Sequence, residues 1–154
     1  MRLFPEVYKK GFYKGQKEDG ITFDDLLYQN LEVLAEGIME DNSFLLLISA
    51  KALSVRTGKS SFTQLLSVAW IDILYRKFNI KNLSFNMNNI AFNADQFEEK
   101  AFKLHDSGQK YAPIILDESD DLTGHSLSQE VQKVKRFLRK SGQLNLLMIM
   151  ILPD

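Results

Sequence analysis

The sequence predicts an α/β protein, a three-layer α/β/α sandwich with a mainly parallel sheet. Short apolar runs such as 44–49 and 144–152 suit buried strands, and they alternate with longer segments whose apolar residues recur at helical spacing. Strands that are apolar throughout are typical of parallel sheets covered by helices on both faces. In such sheets ligands bind at the carboxyl ends of the strands, so polar residues that follow a strand are candidate functional residues.

The composition excludes several classes of function. The 154 residues, 45% hydrophobic and 25% charged, fit one globular domain with a core. The absence of cysteine excludes disulfides, thiol catalysis and cysteine metal sites, and the two distant histidines do not predict a histidine metal site. A net charge of -1 gives no overall attraction to nucleic acid or membrane. Without a secretory signal or a membrane-length apolar run, the expectation is a cytoplasmic protein with no membrane span.

The chain divides into a predicted basic, flexible N-terminal arm over 1–21 and one α/β domain over 22–154. The arm carries four lysines among three glycines, which fits either a solvated terminus or an arm that contacts nucleic acid or a partner. Thr22 is the predicted N-cap of a helix over 22–41. Its apolar face is formed by Leu27, Leu31, Leu34 and Ile38.

The αβ core over 44–154 is predicted from the same patterns. In the second helix Phe62, Leu66, Ala69 and Ile73 share a face, and Trp70 beside them is interpreted as packing rather than base stacking. The predicted elements are a strand over 44–49 buried on both faces, a helix from Lys59 to about Phe78, a short strand within 89–93, a helix capped by Asp95 and Glu98, a strand over 111–116, a helix capped by Ser126 and Gln129 with Gly142 at its end, and a strand over 144–152.

A phosphate-binding motif is indicated where the first core strand meets the second helix. Its residues are Arg56, Thr57, Gly58, Lys59, Ser60 and Ser61, the back half of a P-loop of the form GxxxxGK[ST]. A helix N-terminus offers free N–H groups and a positive dipole end to a phosphate. Lys59 would bridge the β- and γ-phosphates, and the Ser60 hydroxyl would ligate Mg²⁺. The alternative is an exposed lysine followed by a serine cap.

A pair of acids follows a later apolar strand. Ile114-Ile115-Leu116 is followed by Asp117 and Glu118, in the manner of a Walker B strand. Asp117 would hold Mg²⁺, and Glu118 would orient and polarise the attacking water as a catalytic residue alongside Lys59. The alternative is an apolar strand that ends in solvated acids.

Together these two motifs resemble P-loop NTPases of the additional-strand, catalytic-glutamate class, from about Phe44 to Pro153. The segment 133–154 is similar to DNA-motor and mobile-element ATPases related to the FtsK/HerA and zonular-occludens-toxin-like groups. The resemblance implies ATP and Mg²⁺ as ligands, ATP hydrolysis, a role in DNA translocation, packaging or mobilisation, and a homo-oligomer. The chain departs from the pattern at Leu53, which stands where the first P-loop glycine is expected, and it ends where a further strand and helix are usual.

Arg136 and Arg139 are candidate arginine fingers that would reach a neighbouring subunit, or they belong to a solvated helix face. With nearby lysines they form a basic cluster that could contact DNA phosphates. Leu53 keeps a first rival open, a non-hydrolysing nucleotide-binding or assembly module. A second rival, a small-molecule phosphotransferase, would need a mobile lid, for which residues 79–93 are the candidate.

Overall fold

The fold is α/β, with a four-stranded parallel sheet flanked by helices. The structure is a computed structural model that describes residues 1–49, 58–117, 124–140 and 144–152, without the side chains of 124–128 and 130. Its elements in chain order are β1 (Arg2–Leu3), β2 (Ile21–Thr22), α1 (Asp25–Met39), β3 (Phe44–Ile48), α2 (Lys59–Phe78), β4 (Ile90–Ala91), α3 (Ala94–Asp106), β5 (Pro113–Asp117), α4 (Gly124–Lys140) and β6 (Leu147–Ile151).

The strands of the main sheet lie in the order β3-β6-β5-β4, and every neighbouring pair is parallel. All four carboxyl ends therefore lie along one edge of the sheet. The prediction that β3 is buried on both faces is wrong. Among the described residues β3 pairs with β6 alone, and Leu47 is 56% exposed. An apolar run of this kind is also compatible with an edge strand, because the sequence pattern carries no information about strand order.

Helices pack on both faces of the sheet, which fits the predicted three-layer arrangement. Alternate residues along each strand point to opposite faces. On one face Ile115 and Ile149 pack with residues of α1 and α2. On the other face Leu116 and Met148 pack with residues of α3 and α4. Strands β5 and β6 are therefore buried from both sides, as their apolar composition predicted.

The first helix begins later than predicted, because Asp24 and not Thr22 is its N-cap. The Asp24 carboxylate accepts the Leu27 N–H at 2.8 Å, while Thr22 is held extended in β2. The helix spans 25–39 instead of 22–41. Leu31 and Ile38 of its predicted apolar face are buried.

The second helix has the predicted bounds, Lys59 to Phe78. Leu66, Ala69 and Ile73 are buried as expected, but Phe62 is 41% exposed and is not part of the core. Trp70 is fully buried and donates its indole N–H to the Tyr111 carbonyl at 2.8 Å. The packing interpretation of Trp70 is therefore confirmed.

The later elements keep their predicted types, with corrected ends. The N-cap of α3 is Asn93, whose side chain accepts the Gln96 N–H, so Asp95 and Glu98 do not cap it. Helix α4 begins at Gly124, which places Ser126 inside the helix rather than at its start. The predicted end at Gly142 lies outside the described residues. The caps of α1 and α3 each lie two residues from the predicted position, because several neighbouring polar residues could serve.

The first residues of the chain are packed against the body and do not form the loosely held arm that was predicted. Strand β1 pairs antiparallel with β2, and Leu3 is fully buried. The Phe4 N–H donates to the carboxylate of Asp72, a buried residue of α2, at 2.9 Å. Glycine and lysine content predicted a mobile segment, whereas this long-range hydrogen bond has no signal in the sequence.

Asp72 ties three parts of the chain together. Besides the Phe4 N–H, its carboxylate accepts the Tyr28 hydroxyl of α1 at 3.0 Å and Arg76 Nε at 2.8 Å. Burial, and then the negative charge of Asp72, raises the pKa of the Tyr28 phenol. The hydrogen bond to Asp72 raises the pKa of Arg76, so this guanidinium stays charged. The network fixes the N-terminal segment against the pair of helices α1 and α2.

Candidate functional site

The candidate site lies at the carboxyl edge of the sheet, where α2 begins. Gly58 precedes the helix with φ at 76°, a left-handed conformation that side chains disfavour. A Cβ at Gly58 would meet nothing within 4 Å, so the glycine is required by its backbone conformation and not by crowding. Having no side chain, Gly58 cannot cap the N–H groups of Lys59, Ser60 and Ser61 in the first turn. That turn therefore has the local geometry of an anion-binding helix start.

Lys59 reaches across the sheet edge from the start of α2. Its side chain is half-buried, and Nζ donates to the Leu152 carbonyl at 2.8 Å, directly after the end of β6. Ser60 is half-buried and Ser61 is exposed. The contact with Leu152 was not predictable from the sequence, since a backbone carbonyl carries no residue-type signal. This contact places the ammonium group at the carboxyl end of β6.

Asp117 lies at the same end of the sheet. It is the last residue of β5, is half-buried, and pairs in register with Ile151 of β6. On its other side Ile151 pairs with Ile48, the last residue of β3. The ends of β3, β6 and β5 are therefore level, with roughly 10 Å between the two outer strands. Lys59 and Asp117, distant in sequence, both contact the end of the strand between them.

Several predicted site residues cannot be placed. Arg56, Thr57 and Glu118 lie outside the described residues, as does Leu53. Their roles stay predictions from the sequence. The described part of the predicted site thus consists of Gly58, the first turn of α2, and Asp117.

The two candidate arginine fingers lie away from this edge. Arg136 and Arg139 are exposed on α4, which packs on α3 through Val134 and Phe137. Helix α4 follows β5 and so runs from the carboxyl edge back toward the amino edge. Arg136 lies 12 residues into it, roughly 18 Å along its axis. Neither arginine therefore lies near Lys59 within the same chain. A contact with a neighbouring subunit stays a prediction.

Residues 79–89 of the predicted lid candidate lie at the opposite edge, whereas β4 (Ile90–Ala91) runs parallel to β5, so residues 92–93 lie at the carboxyl edge. Residues 79–89 follow the end of α2, and Asn82 Nδ2 donates to the Gly108 carbonyl at 3.0 Å, just before β5 begins. Asn89 is buried, and its Nδ2 donates to the Pro113 carbonyl at 2.9 Å. A segment fixed at the amino edge cannot close over a site at the carboxyl edge. Residues 79–89 therefore do not supply the lid that the phosphotransferase rival needs.

The described residues include no group of three or more histidine, aspartate or glutamate side chains that could hold a metal ion. A Mg²⁺ that arrives with nucleotide needs fewer protein ligands, because phosphates and waters supply most of its octahedral shell. In the part of the chain that the structure describes, no helix is both long and apolar enough to cross a bilayer.

Comparisons with protein-family models, with curated proteins and with solved structures each gave no match. The interpretation of this site therefore depends on its own chemistry and geometry.

Proposed function

We propose that this chain is a P-loop NTPase domain that binds ATP with Mg²⁺, hydrolyses it, and serves DNA translocation, packaging or mobilisation. One observation carries the proposal. Lys59 donates to the Leu152 carbonyl and Asp117 pairs in register with Ile151, so both motif residues lie at the carboxyl end of β6. That is the edge at which parallel α/β sheets bind their ligands.

The sheet order gives further support. Strand β6 lies between β3, which precedes the P-loop-like residues, and β5, which carries the Walker B-like aspartate. A strand inserted between these two strands fits the additional-strand class that the sequence resembles. The helix after β3 packs on one face, and the helix after β5 packs on the other. A change of face between such strands opens a crevice at their carboxyl ends.

In the proposed reaction the protein positions phosphates and neutralises charge. The N–H groups at the start of α2 would bind phosphate oxygens, and Lys59 would exchange the Leu152 carbonyl for the β- and γ-phosphates. Glu118 would orient water for attack on the γ-phosphorus, with ADP as the leaving group.

The residues present fit a magnesium ion. The hydroxyl of Ser60 and the carboxylate of Asp117 are oxygen donors, which Mg²⁺ prefers, and both belong to the carboxyl edge of the sheet. When bound, the ion would neutralise charge that develops on the phosphates. We expect Asp117→Asn to weaken ATP binding in the presence of Mg²⁺ more than in its absence.

Nucleotide binding is tested by calorimetry and thermal shift with ATP and Mg²⁺. At ATP concentrations of 100 times Kd, ligand binding raises Tm by about 5–11 °C in a chain of this size. Lys59→Ala should abolish this shift. Lys77→Ala is the matched control, because Lys77 lies at the far end of the same helix in an exposed pair with Glu36. A wild-type protein without heat or thermal shift would favour the non-hydrolysing assembly module.

Hydrolysis is tested separately by phosphate release. Glu118→Gln should retain ATP binding and lower turnover by about 10²–10⁴-fold, the usual contribution of a positioned proton acceptor. Glu98→Gln serves as control, since Glu98 is an exposed residue of α3. Normal turnover by Glu118→Gln would remove this residue from the mechanism.

A further inference from the structure

The N-terminal lobe, which we define as residues 4–20, is a loop held in shape by internal hydrogen bonds. The Gly20 N–H donates to the Tyr8 carbonyl at 2.6 Å, which closes the loop. The Gln16 side-chain amide crosses its interior and donates to the carbonyls of Tyr8 and Gly20, each at 3.1 Å. The Phe4 N–H anchors the lobe to Asp72 of α2. These hydrogen bonds define where the side chains of the lobe lie.

Three aromatic rings cluster on this lobe. The rings of Tyr8 and Tyr13 are stacked with centroids 6.0 Å apart, and Phe12 contacts both edge-on, at 5.4 and 4.8 Å. Phe12 is 61% exposed and Tyr13 is 49% exposed, so the cluster presents open ring surface to solvent. Water contact of two neighbouring aromatic side chains is unfavourable, and such a patch commonly marks a binding surface.

The lobe carries four lysines and three acids, and all of these acids are ion-paired. Each of its three acids lies within ion-pair distance of a basic group. The Lys10 N–H, and less strongly Lys9, lowers the pKa of Asp19, so this carboxylate stays charged. The pairs are Glu6 with Arg76, Glu18 with Arg2, and Asp19 with Lys9.

Three further lysines of the lobe have no such partner. Lys10, Lys14 and Lys17 are exposed, and no carboxylate of the described residues lies within ion-pair distance of them. Lys17 and Tyr13 line an open cleft of ≈ 400 Å³ beside the aromatic cluster. The lobe therefore combines exposed rings with unpaired cations, although the whole chain has a net charge of -1.

We propose that the N-terminal lobe binds single-stranded nucleic acid. Bases stack on the open faces of Phe12 and Tyr13, and phosphates contact Lys10, Lys14 and Lys17. Aromatic rings beside a basic surface are the combination that single strands require, since each unpaired base offers a π-face and each nucleotide a negative charge. A duplex hides its base faces, so it could use the lysines but not the rings.

This inference goes beyond the proposed ATPase activity. The lobe contacts the second half of α2, through Asp72 and through Tyr75, whose ring lies 6.0 Å from that of Phe4. Lys59 lies at the other end of the same helix. The lobe is therefore a separate surface, and its binding needs no nucleotide.

The test is fluorescence anisotropy with a labelled oligothymidine of about 12 nucleotides and the full chain, without ATP. Removing a stacking ring typically weakens binding by about 5- to 150-fold. We expect the double variant Phe12→Ala and Tyr13→Ala to bind at least about 10-fold more weakly. Phe92→Ala, which removes a ring that is 45% exposed on another part of the surface, should leave affinity unchanged. Circular dichroism checks that each variant is folded.

The lysines are tested through salt dependence. For single strands the slope of log K against log[salt] is about -0.7 per phosphate contacted. Changing Lys10, Lys14 and Lys17 to glutamine should make this slope shallower by about 2. The control changes Lys77, Lys103 and Lys110, exposed lysines outside the lobe and outside α4, to glutamine and should leave the slope unchanged.

Four results would overturn the assignment: no binding to the oligonucleotide at low salt, equal binding to duplex with no loss in the aromatic variant, an equal change of slope in the lysine control, or binding to anionic lipid vesicles without binding to the oligonucleotide. Because ATP is absent from these measurements, none of these results bears on nucleotide binding. Equally, a failed ATP titration would leave the single-strand proposal unaffected.

Discussion

Replacing Asp72 by alanine removes an acceptor that three donors share. The donors are the Phe4 N–H, the Tyr28 hydroxyl and Arg76 Nε, at 2.9, 3.0 and 2.8 Å. Asp72 itself is fully buried. The change therefore leaves polar groups in a low-dielectric interior without their partner, which costs more than the hydrogen bonds gave.

The expected loss follows from the burial of each donor. Hydrogen bonds to a charged group contribute about 1.5–3 kcal/mol each, so those from Phe4 and Tyr28 together contribute roughly 3–6 kcal/mol. The Arg76 side chain is 36% exposed and can regain water, so its share is below about 1 kcal/mol. Alanine is the better helix former by about 0.5 kcal/mol. Asp72→Ala should therefore lower the free energy of unfolding by about 3–5 kcal/mol.

Urea unfolding followed by circular dichroism measures this loss, with Asp106→Ala as control because Asp106 is exposed on α3. A double-mutant cycle locates it. Tyr28→Phe should cost about 1–2 kcal/mol in the wild type and close to zero beside Asp72→Ala. Trypsin should also cleave the lobe over 4–20 faster in Asp72→Ala, because the anchor of Phe4 is gone. A loss of stability below about 1.5 kcal/mol, or equal costs of Tyr28→Phe in both backgrounds, would contradict the role of Asp72 as a shared buried acceptor.

Four further outcomes are expected. Burial raises the pKa of Tyr28 in the folded state, so the Tyr28 hydroxyl contributes fully to stability below a pH of about 10 and less as the pH rises further. The urea midpoint of the wild type should therefore fall across pH 8–12, and it should fall less steeply in Tyr28→Phe. Trp70, the single tryptophan, is fully buried. Its fluorescence should resist acrylamide quenching in the folded protein and shift to the red when the protein unfolds. Trp70→Phe should cost about 2–3 kcal/mol in urea unfolding, because it leaves a cavity and an unpaired carbonyl at Tyr111. Asn89→Ala should cost about 1–3 kcal/mol in the same assay, since its buried side chain bonds Pro113.

The local sequence pattern was sufficient to predict an element where only interactions between residues close in the chain determine its bounds. The helix predicted from Lys59 to about Phe78 has these bounds in the structure, because 20 residues of periodic sequence follow a glycine. The caps were not predicted correctly, because capping depends on which neighbouring polar residue the tertiary structure leaves free. Thr22 does not cap the helix, because its hydroxyl accepts a hydrogen bond from Arg2 at 2.6 Å and the helix begins only at Asp25.

Other features were beyond the reach of local pattern. The exposure of Leu47 depends on β3 being an edge strand, which the composition of the strand does not reveal. The order of the N-terminal segment depends on Asp72, a residue far along the chain. Composition measures the tendency of a segment to fold alone, and this segment is held by contacts outside itself.

Local sequence patterns were enough to assign the α/β class, the bounds of α2, and the residue types that follow β3 and end β5. Periodicity and burial tendency are local properties, so a short stretch of sequence reveals them. The order β3-β6-β5-β4, which places β6 between the two motif-bearing strands, follows from tertiary packing. That order brings the Lys59 ammonium and the Asp117 strand end to a common edge. Strand order results from the packing of helices on both faces of the sheet. These contacts join residues far apart in the chain, so no short stretch of sequence is sufficient to predict the order.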